Sequence, residues 1–384
     1  MQNITRVDFF RHNIKEEDIE AAAGVMRSIF LTTGDVVEKF ETTLCEYLSC
    51  EYAIGVTSCT AALHLSLLAF DIGPGDEVIT TPMSFVATAN AIMHAGATPV
   101  FVDVEPQTGN INADLIEDAI TAETKAIMPV HLYGSLCDMR KIRDIADKHN
   151  LKVIEDSAHM ISGERDGIKP GELGDAACFS FYATKEITSG EGGAITVHDK
   201  HISDRLKRLR LHGLSSNAAD RYTSNNYSHY DVDECGWKYN MDNIQAAILI
   251  GQLDRLNEQR EIREQICKQY EDAFHELQGI DYPIPPIGST SSRHLFTIWV
   301  NPKSRDAIIW ELQKKNIGVA VNFRSIHLMH YYKSTFGYID GSFPVSESIG
   351  HSTLTLPLHT KLNEKEIDYV ISNVQKAVEE NSLL

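Results

Sequence analysis

Between residues 53 and 199, short apolar runs rich in β-branched residues alternate with stretches of helical period, and that alternation admits few architectures. Strands are predicted at Tyr52–Val56, Glu77–Thr81, Thr98–Val104, Lys125–Val130, Lys152–Glu155, Ala176–Phe181 and Ala194–Val197. Helices are predicted between them at Ala61–Ala69, Phe85–Ala95, Asn112–Ile120 and Met139–His149. Several strands are continuously apolar, which implies burial on both faces of a mostly parallel sheet. Gly73-Pro-Gly-Asp76 and Pro106-Gln-Thr-Gly109 supply the turns. The expected class is α/β, a layered sheet flanked by helices.

Beyond this region the pattern changes. Ser215 to His229 is polar and turn-rich, and reads as a long loop, either a lid or an intersubunit contact. From Asp242 to about Phe274 a helical pattern runs without proline and with one glycine, Gly251, which predicts a single long helix. Strand-like His294–Val300 and Gly318–Asn322 then mix with helices near Ser304–Lys315 and Asn363–Glu379. Residues 1–250 are therefore expected to form a large domain, and residues 251–384 a smaller α+β domain.

A formal net charge of −19 argues against a nucleic acid or an anionic membrane surface as partner. No charged and then apolar leader opens the sequence, and no apolar run approaches the ~20 residues that span a bilayer. The seven cysteines contain no C-x-x-C pair and are odd in number, as expected of reduced thiols in a cytoplasmic protein without a zinc site.

Chemistry enters with Lys185. It follows the apolar run ending Cys178-Phe-Ser-Phe-Tyr-Ala-Thr-Lys185, and precedes the small, polar Thr188-Ser-Gly-Glu-Gly-Gly193. A second apolar run, Leu151-Lys-Val-Ile154, ends in Glu155-Asp-Ser-Ala-His159. A lysine just past one buried strand and an aspartate at the carboxyl end of another suit pyridoxal 5'-phosphate (PLP). The amine forms a Schiff base with the aldehyde, and the carboxylate keeps the pyridine nitrogen protonated so that the ring accepts electrons. His159 is placed to hydrogen-bond the phenolic oxygen. In Val56-Thr-Ser-Cys-Thr-Ala-Ala62, helix N–H groups with the Ser58 and Thr60 hydroxyls fit a phosphate, although a plain N-cap reads the same. Phe85 suits stacking on a flat ring, although a Phe at a strand–helix junction is more often ordinary core. Asp156 also reads as a loop cap and His159 as a core histidine, while the apolar strand and the Gly-Glu-Gly-Gly turn beside Lys185 argue against a simple surface lysine.

Taken together, the motifs resemble the DegT/DnrJ/EryC1/StrS family of PLP-dependent sugar-nucleotide aminotransferases, which have the fold-type I aminotransferase architecture. The resemblance runs through Leu31-Thr-Thr-Gly34, Thr57–Ala62, Gly75-Asp-Glu-Val-Ile-Thr-Thr-Pro82, Gly96–Asp103, Glu155–His159, Phe179–Lys185, Gly190–Gly193, Leu211-His-Gly213 and Gly236-Trp-Lys-Tyr-Asn240. It implies Lys185 as the Schiff-base lysine, Asp156 as the pyridinium partner, Phe85 as the stacking aromatic and His159 near the phenolic oxygen. Cys59, Thr60 and Ser180 match phosphate-contacting positions. Lys238 and Asn240 stand where the family often has asparagine and arginine, a segment that reaches the neighbouring subunit's phosphate, so the resemblance implies a homodimer with shared sites. Met160 stands where a smaller residue is commoner.

Lys238 with Asn240, Val321-Asn-Phe-Arg-Ser-Ile-His327, Ser84–Asn90 and His159 look most like the sugar C-4 aminotransferases. The expected reaction moves an amino group from L-glutamate to the 4-keto carbon of a nucleotide-linked, UDP-type, 4-keto-6-deoxy sugar. The alternatives are a 3-keto sugar aminotransferase and a PLP-binding regulator without turnover. A dehydratase of this fold is disfavoured because those enzymes carry histidine in place of the lysine.

Overall fold

The computed structural model describes residues 6–215 and 229–381. Its main sheet has seven strands: β1 (Tyr52–Val56), β2 (Glu77–Thr80), β3 (Thr98–Phe101), β4 (Thr124–Met128), β5 (Lys152–Asp156), β7 (Ala176–Ser180) and β8 (Gly193–Val197). Between β5 and β7, the two-residue β6 (Glu164–Arg165) pairs with β10 (Ser289–Thr290) as a separate ribbon. The order across the main sheet is β1-β8-β7-β5-β4-β2-β3. Only β8 runs antiparallel to its neighbours. The carboxyl ends of β1, β7, β5, β4 and β2 therefore share one edge, where open α/β sheets bind ligands.

Both faces of this sheet are covered, which explains the uninterrupted apolar runs. Along β7, Ala176 and Cys178 join a core with the helix Cys59–Ala69, while Ala177 and Phe179 join another with the helices Asp35–Leu48 and Asn243–Asp254. Along β4 and β5, Ala126, Met128 and Ile154 face the first core, while Ile127 and Val153 face the helix Met139–His149. A period of two thus splits one apolar strand between two buried layers.

A second core joins the helices Leu256–Phe274, Arg305–Lys314 and Glu364–Asn381 to a three-stranded antiparallel sheet. Its strands are β9 (Ile280–Asp281), β11 (Phe296–Val300) and β12 (Thr353–Leu356). Val7, from the start of the chain, also lies in it, held by backbone bonds to Asn316 and Gly318.

Four local expectations change. Asn112–Ile120 forms two 3-10 turns, Ala113–Leu115 and Glu117–Ala119, rather than an α-helix. The Asn112 side chain accepts from the Asp114 N–H and holds the tighter turn. The helix expected from Asp242 to Phe274 breaks at Arg255 (φ −103, ψ 3), whose guanidinium pairs with buried Asp18 at 2.6 Å. The ion pair lies at this kink; we propose the boundary between the two domains beside it, near residue 250. Gly318–Asn322 contributes one isolated bridge, Ala320 to Thr355, in place of a strand. The helix expected from Phe85 starts at Ala87, leaving Phe85 in the preceding turn. Most of the predicted 215–229 loop lies outside the described residues.

Candidate active site

The shared edge holds a cavity of about 590 Å3. It is lined by Ser58 and by seven of the eight residues that the resemblance gave a cofactor role: Cys59, Thr60, Phe85, Asp156, His159, Ser180 and Lys185. The eighth, Lys238, does not line it and is exposed.

Lys185 sits in the loop from β7 to β8. Phe181 and Gly192 close the base of that loop through a 2.9 Å backbone bond, and buried Phe181 packs edge-on to Phe40. The Lys185 N–H donates to the Tyr182 carbonyl, fixing the turn. Burial pushes its amine down to about 8, against the opposing pull of Cys59, Asp156 and Glu186. An amine in that range exchanges protons readily near neutral pH.

Strand alternation decides which of two adjacent acids serves the site. On β5, Glu155 turns to His131 (2.8 Å) and the Gly171 N–H, beneath the sheet. Asp156 turns the other way. Its Oδ2 accepts from Thr88 Oγ1 at 2.8 Å, and Oδ1 accepts from the Ala158 N–H at 3.1 Å. Burial raises its pKa, and the bonds from Thr88 and Ala158 and the charge of Lys185 oppose that rise. A buried carboxylate in this position gains from a cationic N–H brought by a ligand. Sequence reading missed Thr88, although Ser84 and Thr88 are spaced i, i+4. Ser84 Oγ lies 2.9 Å from Thr88 Oγ1, so a hydroxyl pair backs the carboxylate.

His159 is buried, and burial, then the charge of Lys185, hold its pKa well below the usual range. Its Nδ1 accepts from the Tyr133 N–H at 3.3 Å, which places the proton of the neutral ring on Nε2. Phe323 stacks on it with ring centroids 5.5 Å apart.

At the start of the helix Cys59–Ala69, the Ser58 hydroxyl takes the Ala61 N–H, while those of Cys59 and Thr60 open the helix. The Cys59 thiol points inward, donating to the Cys178 carbonyl at 3.3 Å, so its backbone rather than its sulfur is offered to a ligand. Residue 193 must be glycine, since a Cβ there would lie 2.4 Å from the Ser58 carbonyl carbon and 2.7 Å from the Cys59 nitrogen. The end of the Gly-Glu-Gly-Gly turn is therefore pressed against the cradle. Ser180 lies on the same rim.

These residues fit PLP. A helix N-terminus with small polar side chains suits the phosphate, a buried carboxylate suits the ring nitrogen, and a lysine of lowered pKa suits the aldehyde. His294 was also missed. It reaches the cavity from the segment before β11 and lies 3.4 Å from the Lys185 amine.

Residues 12–375 match the DegT/DnrJ/EryC1/StrS aminotransferase family. The spore coat polysaccharide biosynthesis protein SpsC of Bacillus subtilis is 40% identical over 370 residues, covering 95% of each chain. Among solved structures, Spr1654 of Streptococcus pneumoniae in its PLP form superposes with a TM-score of 0.91 at 31% identity, covering 98% of this chain and 99% of its own. Helicobacter pylori PseC, an aminotransferase involved in the biosynthesis of pseudoaminic acid, gives 0.91 at 29% identity, with 98% and 100% covered. A match across nearly the whole chain, with Lys185, Asp156 and a helix N-terminus on one cavity, makes this protein a PLP-dependent member of the DegT/DnrJ/EryC1/StrS aminotransferase family.

Proposed function

We propose that the enzyme transfers an amino group from L-glutamate to the 4-keto carbon of a nucleotide-linked 4-keto-6-deoxy sugar, with UDP as the nucleotide, for glycan biosynthesis. The observation that carries this reading is the pairing of Lys185 and Asp156 on one cavity, their pKa values displaced in opposite directions. Bound PLP supplies the electron sink. Lys185 tethers it and, once released, moves the proton at the substrate's amine-bearing carbon. Asp156, backed by Thr88, holds the ring nitrogen protonated. When the cofactor is bound, His159 would face its phenolic oxygen, Phe85 would cover the ring, and Cys59, Thr60 and Ser180 would hold the phosphate. A cytoplasmic setting suits a nucleotide-sugar substrate and reduced thiols.

The names of SpsC and PseC, which speak of polysaccharide and pseudoaminic acid biosynthesis, support a sugar substrate. A homodimer with shared sites is part of the proposal. Among the described residues lining the cavity, Lys185 is the sole lysine or arginine, so a cation added to the helix N-terminus at a bound phosphate has to come from elsewhere. Exposed Lys238 is the residue proposed to supply it from the partner subunit.

The test is to incubate the enzyme with glutamate and a panel of 4-keto and 3-keto nucleotide sugars and to locate the new amine by NMR. An amine at C-4 of a UDP-sugar is the expected outcome. An amine only at C-3, or on another nucleotide's sugar, overturns the assignment.

A further inference from the structure

His294 occupies a position that the chain holds with unusual care. Its neighbour Arg293 adopts a left-handed backbone (φ 50) and is clamped by Glu264 at 2.8 and 3.0 Å and by Glu271 at 2.8 Å. Ser292 donates its hydroxyl to the His159 carbonyl and its N–H to the Gly134 carbonyl, each at 2.9 Å. A Cβ on Gly134 would meet Ser292 Oγ, so glycine admits this close approach. His294 is thereby delivered, buried, between Lys185 and His159, its ring 4.6 Å from that of His159.

We propose that His294 is a positioning residue for Lys185: its Nε2 accepts a hydrogen bond from the Lys185 amine at 3.4 Å and holds the freed amine at the cavity wall between proton transfers. The proposal rests on the reading of Lys185 as tether and proton carrier. A neutral ring is required, because an imidazolium would repel the amine and have no lone pair to offer. Burial, then the charges of Lys185 and Arg263, keep His294 neutral. The other groups facing Lys185 are Cys59, Asp156, His159 and Glu186, and among the described residues none of them hydrogen-bonds its amine. The separation is long for a hydrogen bond, as catalytic contacts commonly are before substrate is bound.

The contact can be read in cofactor-free protein. Competitive acetic anhydride labelling of Lys185 against pH, followed by mass spectrometry, reports its neutral amine. An acceptor favours the charged amine, so His294→Leu should move the labelling midpoint down, by about one pH unit, raising labelling at pH 7 roughly five-fold. His294→Gln, whose amide oxygen can take the N–H, should stay near wild type. In holoenzyme His294→Leu should lower kcat without raising the glutamate KM, and His294→Gln should recover most of the loss. A Leu profile that superimposes on wild type, or equal shifts in both variants, overturns the proposal. If the Leu variant fails to fold, 15N NMR of the histidines decides the matter. The His294 Nε2 resonance, identified by its loss in His294→Gln, must move in Lys185→Met, and an unmoved resonance overturns the contact. Borohydride trapping of PLP on Lys185 tests the tether separately, so the two failures are distinguishable.

Discussion

At the scale of single residues, burial decides what Lys185 and Asp156 can do. Borohydride reduction of the holoenzyme should fix the cofactor to Lys185, with mass spectrometry locating the adduct. Lys185→Ala should retain cofactor binding and lose at least about 10²-fold to 10⁴-fold in turnover, the range of a positioned proton carrier. Asp156→Asn keeps the volume and removes the charge. The loss, on the order of 10²-fold, should fall on kcat with little change in substrate binding, and near-normal kcat would assign the ring nitrogen to another partner. A pH signature follows from the amine. Its folded-state value of about 8 lies below the ordinary 10.5, so between these values the unfolded chain binds more protons than the folded one. Stability of the cofactor-free protein therefore gains from this residue as pH rises through that window. Lys185→Met should melt above wild type near about pH 7, with the gap narrowing by about pH 9.5. A gap independent of pH contradicts this.

At the scale of elements, the proposed phosphate cradle at the start of the helix Cys59–Ala69 depends on how β1 and β8 are held. β1 is an edge strand, and edges expose backbone groups that need partners. Buried Glu41 accepts from the Gly55 N–H at 2.8 Å, and Arg210 donates both to Glu41 and, at 2.8 Å, to the Gly55 carbonyl. One buried ion pair, with backbone bonds to residues 239–241, thus covers the open side of the strand that leads to Ser58. Arg210→Met strands a buried carboxylate and should cost about 3–5 kcal/mol by chemical denaturation. The double variant Glu41→Met/Arg210→Met should cost less than that single change. On the other side, Gly193→Ala drives a methyl group into the Ser58–Cys59 backbone. It should destabilise by about 1–3 kcal/mol and weaken PLP affinity at least about ten-fold, read by absorbance titration. Wild-type affinity in that variant would mean that the cradle is not where the phosphate sits.

At the scale of the whole molecule, a strongly acidic protein must gather cations locally to hold a phosphorylated cofactor and a nucleotide. The proposed shared site is tested by subunit mixing. Lys185→Ala and Lys238→Met are each expected to be poorly active. Random exchange makes half of the dimers mixed, each with one site carrying both lysines, so about a quarter of wild-type activity should return. No recovery, with exchange shown independently, would place Lys238 outside the partner's site.

The layered class, most strand positions of the main sheet and the order of the chemical residues were written in the sequence, because two-sided burial leaves continuous apolar runs and because polar residues interrupting them at strand ends stand out. The helix Met139–His149 was legible to the residue, its amphipathic period bracketed by the Asp138 cap and left-handed Asn150. What the sequence left open depends on elements that meet across long separations. Thr88 reaches Asp156 across 68 positions, and His294 reaches Lys185 across 109. No local period records those meetings. Arg255, where the helix breaks, pairs with Asp18, 237 positions away. Periodicity reports which face of an element is buried; the order of strands in the sheet decides which faces meet, and so only the tertiary structure assembled the lysine, its carboxylate and its histidines into one site.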